Sequence, residues 1–126
     1  MRNNREYLLA KEVSRYLRLQ YPKVLFHFDL AGLNLSRGQA GMMKVIQHKR
    51  GFPDLMVLQP SGNFNGLFIE LKADGKNPYK KNGDIKSDEH LNEQQDMINE
   101  LLKRGYKACF CTGFDSAKNV IDTYLK

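Results

Sequence analysis

GFPDLMVLQPSGNFNGLFIELK, residues 51–72, consists of two short apolar runs around a cluster of Pro60, Ser61, Gly62, Asn63, Asn65 and Gly66. That pattern predicts a β-hairpin with a long turn. With the turn centred near Asn63, Asp54 falls opposite Lys72 and Met56 opposite Glu70. Opposed residues share a face and strand side chains alternate with period two. Asp54, Glu70 and Lys72 then point to one side, and Ile69 and Leu71 to the other. A slip of a single residue would carry Asp54 to the wrong face.

Two carboxylates and an ammonium in the middle of an apolar hairpin are costly to bury unless they bind something. Mg²⁺ or Mn²⁺ suits such a place, because hard ions take oxygen ligands and sit between one or two carboxylates and a substrate phosphate. An ion there would polarise a phosphodiester and acidify a bound water. Lys72 would orient that water or offset negative charge building on the phosphorus oxygens. At this point a purely structural alternative stands beside it: a salt-bridged hairpin end in which Lys72 neutralises Asp54.

The chain has 126 residues, enough for one domain over 1–126, with a net charge of +6. Its pI of about 9.4 suggests a polyanionic partner without requiring one. No run is apolar and long enough to span a bilayer, and MRNNREYLLAK lacks the apolar centre of a signal peptide, so a cytoplasmic location is expected. Cys109 and Cys111, two apart on a predicted strand, are read as small core residues poorly placed to bridge each other. His27, His48 and His90 show no spacing that would complete a zinc site with them. No small-molecule cofactor is expected.

Periodicity predicts a helix over 5–20, with Asn3 or Asn4 as its cap. Glu6, Ala10, Val13 and Leu17 fall in one stripe of that helix, whereas Glu12 lies well off it. Either Glu6 serves a site from the apolar face, or it merely favours the positive end of the helix. Residues 24–28 read as a strand, 29–41 as a glycine-rich polar segment and 42–50 as a short helix. Arg37, Lys44, Lys49 and Arg50 make this region basic, fit for phosphate contact or for plain solvation. Residues 73–89 have no apolar period and carry Lys76, Lys80, Lys81 and Lys86 around Tyr79. They read as a loop that is disordered or that orders on DNA, with lysines on phosphates and Tyr79 against a base or sugar. A helix over 90–104, capped by Ser87 or Asp88 and stopped by Gly105, has the stripe Leu91, Ile98, Leu101 and Leu102. Gln94 lies inside that stripe and Gln95 to its side; a buried glutamine must satisfy its amide. A strand over 106–110 and a helix over 115–125 close the chain.

Pro53-Asp54, fifteen residues, then Glu70-Leu71-Lys72 resembles the PD-(D/E)XK nuclease signature, and Gly51-Phe52-Pro53-Asp54-Leu55 resembles its VRR-NUC branch in small standalone form. The resemblance implies an α/β restriction-endonuclease-like core, a mixed β-sheet flanked by helices in the order αβββαβα. It implies metal-dependent hydrolysis of DNA. Asp54 and Glu70 would hold the metal with the Leu71 carbonyl, and Glu6 would bind through water or hold a second ion. Lys72 would handle the nucleophilic water and Gln94 would orient Lys72 or a phosphate. It further implies a twofold homodimer acting on branched DNA such as four-way (Holliday) junctions. Flap, nicking or restriction-like activity on the same site is an alternative. A non-catalytic basic binding module is another, but it leaves Glu6 and Gln94 on apolar stripes unexplained.

Overall fold

The two apolar runs of the hairpin become the middle of a four-stranded sheet. The computed structural model describes residues 4–29 and 35–126. Asn3 therefore lies outside the described residues, as does part of the glycine-rich segment. In chain order the elements are α1 (Asn4–Gln20), β1 (Phe26–Phe28), α2 (Arg37–Ile46), β2 (Leu55–Val57), β3 (Leu67–Lys72), α3 (Glu89–Lys103), β4 (Lys107–Thr112) and α4 (Gly113–Leu125). The sheet runs β1-β2-β3-β4, antiparallel between β1, β2 and β3 and parallel between β3 and β4.

The register corrects the expectation by two residues. Leu55 pairs with Ile69 and Val57 with Leu67, so Met56 faces Phe68, and one step further Asp54 falls opposite Glu70. Two offsets produce this. The turn is a tight one closed by Ser61 and Phe64, with positive φ at Gly62 and none at Asn63, as in a type II′ turn. Its arms are also unequal, with Leu58, Gln59 and Pro60 on one side against Asn65 and Gly66 on the other. Two single-residue shifts add to an even number, so face assignment survives where register did not.

The order αβββαβα implied by the resemblance leaves out α2, which the residue pattern placed at 42–50. α2 begins at Arg37, five residues before the helix expected at 42, and residues 47–50 are not helical. The signal is a capping box: Ser36 Oγ accepts from the Gln39 amide and Gln39 Oε1 accepts from the Ser36 amide. Gly38 and Gly41 each cost roughly 1 kcal/mol inside a helix, which masked the signal.

All six residues of β3 are buried, so it serves both faces. Leu67, Ile69 and Leu71 join Leu9, Val13 and Leu17 of α1 and Ala117 and Ile121 of α4 in one core. Phe68 joins Met97, Ile98 and Leu101 of α3 and Ala108 and Phe110 of β4 in the other. Glu70 and Lys72, in phase with Phe68, belong to the α3 side.

Asp122 ties α1 to α4. Its Oδ1 accepts from the hydroxyls of Tyr16 and Tyr21, each at 2.6 Å, and its Oδ2 from Lys118 Nζ at 3.0 Å. Burial opposes the charge, but the two hydroxyls and Lys118 outweigh it and hold the carboxyl down at about 2, below the ordinary 3.8. A lowered carboxylate contributes stability above the ordinary value and loses it as pH falls through the folded value. Asp122→Asn is therefore expected to cost about 1–2 kcal/mol near neutrality. It should also flatten the loss of stability between pH 3.8 and about 2. Urea melts of both proteins across that range check it; parallel acid limbs would remove Asp122 as the cause.

Candidate active site

Glu70 and Lys72 are 1% and 8% exposed, and Gln94 of α3 is 4% exposed. Lys72 Nζ donates to Gln94 Oε1 at 2.9 Å and lies 3.7 Å from Glu70 Oε2. It also sits 5.9 Å from the centroid of the Phe110 ring, within cation–π range. A buried ammonium–carboxylate pair recovers its desolvation cost poorly and is weak evidence for stability. Such a pair kept in a core makes Glu70 and Lys72 candidates for a functional site. Glu70 Oε2 is sealed from solvent, as is Glu6 Oε2.

Asp54 enters from the residue before β2, after the fully buried Pro53. Its Oδ2 accepts from the Leu71 amide at 3.0 Å, which fixes the carboxylate against β3. Lys72 contacts Glu70 and Gln94. The Asp54 carbonyl accepts from the Asp29 amide at 2.8 Å, which extends the β1–β2 ladder by one step. Asp29, expected to begin a glycine-rich polar segment, thus stands beside Asp54.

Gly51 explains how Gln94 reaches the site. It has φ +88, and a Cβ there would lie 2.7 Å from the Glu93 carbonyl oxygen and 3.2 Å from the Gln94 amide nitrogen. The backbone leading into Pro53-Asp54 is pressed against the backbone of α3 at the turn that carries Gln94. Only glycine has room and the conformational freedom for this.

Glu6 lies in the first turn of α1, half-buried, and Glu12 is exposed. Arg5 Nη2 donates to the Asp74 carbonyl, which brings this turn to the end of β3. Among the described residues no three His, Cys, Asp or Glu side chains gather as a metal cage. Asp54 and Glu70 offer hard oxygen donors that fit a largely hydrated Mg²⁺ or Mn²⁺, which needs few protein ligands.

The basic residues divide. Arg37 and Lys44 lie exposed on α2, which buries none of its residues. Lys49 and Arg50 line a groove of about 530 Å³ shared with Glu93, Asp96, Glu100 and Lys103 of α3, so their charge is partly matched within the protein. The lysine-rich segment after β3 has structure of its own. Tyr79 and Ile85 form a β-bridge, Lys86 donates its amide to Pro78, and Pro78 is fully buried. The Tyr79 ring packs edge-on against Phe110 with centroids 5.8 Å apart, and Ile85 packs on the α3-side core. Three apolar anchors in a polar stretch carry no periodicity, which is why the sequence reads as a loop. Lys76, Lys80 and Lys81 stand exposed on this tongue. Burial pushes the Tyr79 hydroxyl up from its ordinary value, with smaller contributions from Cys109 and Cys111.

Two contacts escaped the sequence reading. Phe110 bridges Tyr79 and Lys72, and Gln94 Nε2 lies 3.2 Å from His90 Nε2. The second has a local signal, since positions i and i+4 of a helix are neighbours.

The family model for the VRR-NUC domain matches residues 8–115, a span that holds Asp54, Glu70, Lys72 and Gln94 and begins just after Glu6. Among solved structures, one described as a VRR_NUC domain protein matches with a TM-score of 0.65 at 24% identity, covering 99% of this chain and 91% of that one. At that identity the likeness is one of fold. No curated protein sequence matches the chain.

The packing of Gly51 generates a prediction. Gly51→Ala is expected to cost about 2–4 kcal/mol, since it adds a backbone clash to positive-φ strain. Gly62→Ala, also at positive φ but with open space around it, should cost only about 1 kcal/mol. Chemical denaturation of the two variants checks the contrast; equal losses would show that the approach to α3 carries no weight.

Proposed function

The chain belongs to the VRR-NUC family, whose PD-(D/E)XK fold and nuclease-type function it therefore carries, and on that premise we propose that it is a Mg²⁺- or Mn²⁺-dependent DNA endonuclease selective for branched DNA such as four-way junctions. The observation that carries this reading is the buried Glu70–Lys72–Gln94 cluster beside Asp54. Asp54 and Glu70 would hold the ion, with the Leu71 carbonyl as an additional oxygen donor. When bound, the ion supplies Lewis-acid polarisation of the phosphate and a more acidic water.

The chain's own residues do the rest. The Leu71 amide holds Asp54 Oδ2 and fixes the carboxylate against β3. Lys72, a donor-only group, orients the attacking water or meets charge on the non-bridging oxygens. Gln94 fixes Lys72 through a 2.9 Å bond. Glu6 serves through water at the rim.

Selectivity is assigned to shape. The tongue offers Lys76, Lys80 and Lys81 to phosphates, with Arg37, Lys44, Lys49 and Arg50 as further contacts and Tyr79, 39% exposed, at a base or sugar. A twofold dimer would present two sites to two strands. The exposed stripe Met42, Val45 and Ile46 of α2, 70–84% accessible, gives a second copy an apolar surface to cover.

End-labelled four-way junction, duplex and single strand with Mg²⁺, Mn²⁺ or EDTA test the proposal. Metal-dependent junction cleavage, abolished by Glu70→Ala, is expected from a protein that sediments as a dimer. Cutting of other substrates instead would retire the junction preference, and full junction cleavage by a monomer would retire the dimer. Tight binding without cleavage of any substrate would favour a binding module.

Replacing Lys76, Lys80 and Lys81 together should weaken binding and flatten its log–log salt dependence by about 0.9 per lost phosphate contact. An unchanged slope would remove the tongue from the DNA interface.

A further inference from the structure

We propose that His90 is a positioning residue that fixes Lys72 through Gln94, an assignment that rests on the nuclease reading for its catalytic consequence but not for its geometry. Polarity runs one way along this line of contacts. Lys72 has only protons to give, so the Gln94 atom 2.9 Å from its Nζ is the carbonyl oxygen. The amide nitrogen of Gln94 then points to His90 Nε2, 3.2 Å away. An amide nitrogen has no lone pair to offer, so His90 Nε2 accepts. That role requires the tautomer that carries its proton on Nδ1 and leaves Nε2 to accept.

A reversed amide would set a donor against the Lys72 ammonium inside a core where Gln94 is 4% exposed. Burial makes such a mismatch costly. His90 selects between the two amide orientations from the exposed first turn of α3, which Asp88 caps by accepting from the Leu91 amide. Its side chain fills no core space, so replacements there leave the fold intact.

The test depends on polarity. Single-turnover junction cleavage at saturating protein isolates the bound complex from DNA affinity. His90→Ala removes the acceptor, and His90→Lys substitutes a pure donor while adding a charge that favours DNA. Both should slow the saturated step about three- to tenfold, the worth of one hydrogen bond. His90→Gln, which can accept at the same place, should recover most of the rate. Equal rates in all three variants, or loss in His90→Gln as deep as in His90→Lys, would overturn the proposal.

A readout independent of activity accompanies it. Long-range ¹H–¹⁵N spectra of the wild type should show His90 Nε2 unprotonated and Nδ1 protonated, reverting toward the Nε2-protonated form in Gln94→Leu. A dominant Nε2-protonated ring in the wild type would refute the relay even if the protein cuts DNA. An Nδ1-protonated ring in a protein without Glu70-dependent cleavage would keep the relay and refute the nuclease.

Discussion

An ammonium and a carboxylate 3.7 Å apart, both almost fully buried, set the terms for the α3 side of this protein. Their desolvation is not recovered by mutual attraction alone, so every neighbour of Lys72 has a compensating part. Gln94 supplies an oxygen, Phe110 a π-face and Glu70 the counter-charge. None of these is adjacent to another in sequence except through the alternation of β3. The arrangement exists only if α3 docks at one height on the sheet, and the contact of Gly51 with the α3 backbone sets that height.

The two faces of the sheet divide the work. On the α1–α4 side the core is apolar and the polar contacts, centred on Asp122, lie at its edge and bind helix to helix. On the α3 side the apolar cluster is smaller and the charged groups lie against it. β3 is the hinge of this division, since its odd residues feed one face and its even residues the other. The tongue belongs to the second side: Pro78, Tyr79 and Ile85 anchor it there, and through Phe110 it shares a wall with Lys72. The tongue's exposed lysines therefore stand on a segment linked to Lys72 through the Phe110 ring.

Much of this was legible because period two and period 3.6 are robust to small errors. Asp54, Glu70 and Lys72 were assigned to one side from a register two residues out, and the even shift preserved the side. Gln94 was separated from Gln95 by angle alone, and the structure buries Gln94 and leaves Gln95 half-exposed. Glu6 was similarly told from Glu12. What escaped had no periodic signature: a capping box with glycines behind it, three anchors spaced irregularly along the tongue, and Asp29 at the end of a short strand.

By itself the sequence determined the sheet's central hairpin, the helices on its flanks and the residue types able to carry hydrolytic chemistry, because alternation and helical angle are local properties of the chain. Tertiary structure alone decided that Lys72 meets Gln94 across the sheet–helix boundary, that Asp54 is fixed by the Leu71 amide, and that His90 stands behind Gln94. Those outcomes depend on the depth at which α3 meets the sheet. Burial, not spacing, decides which partner a charge must find.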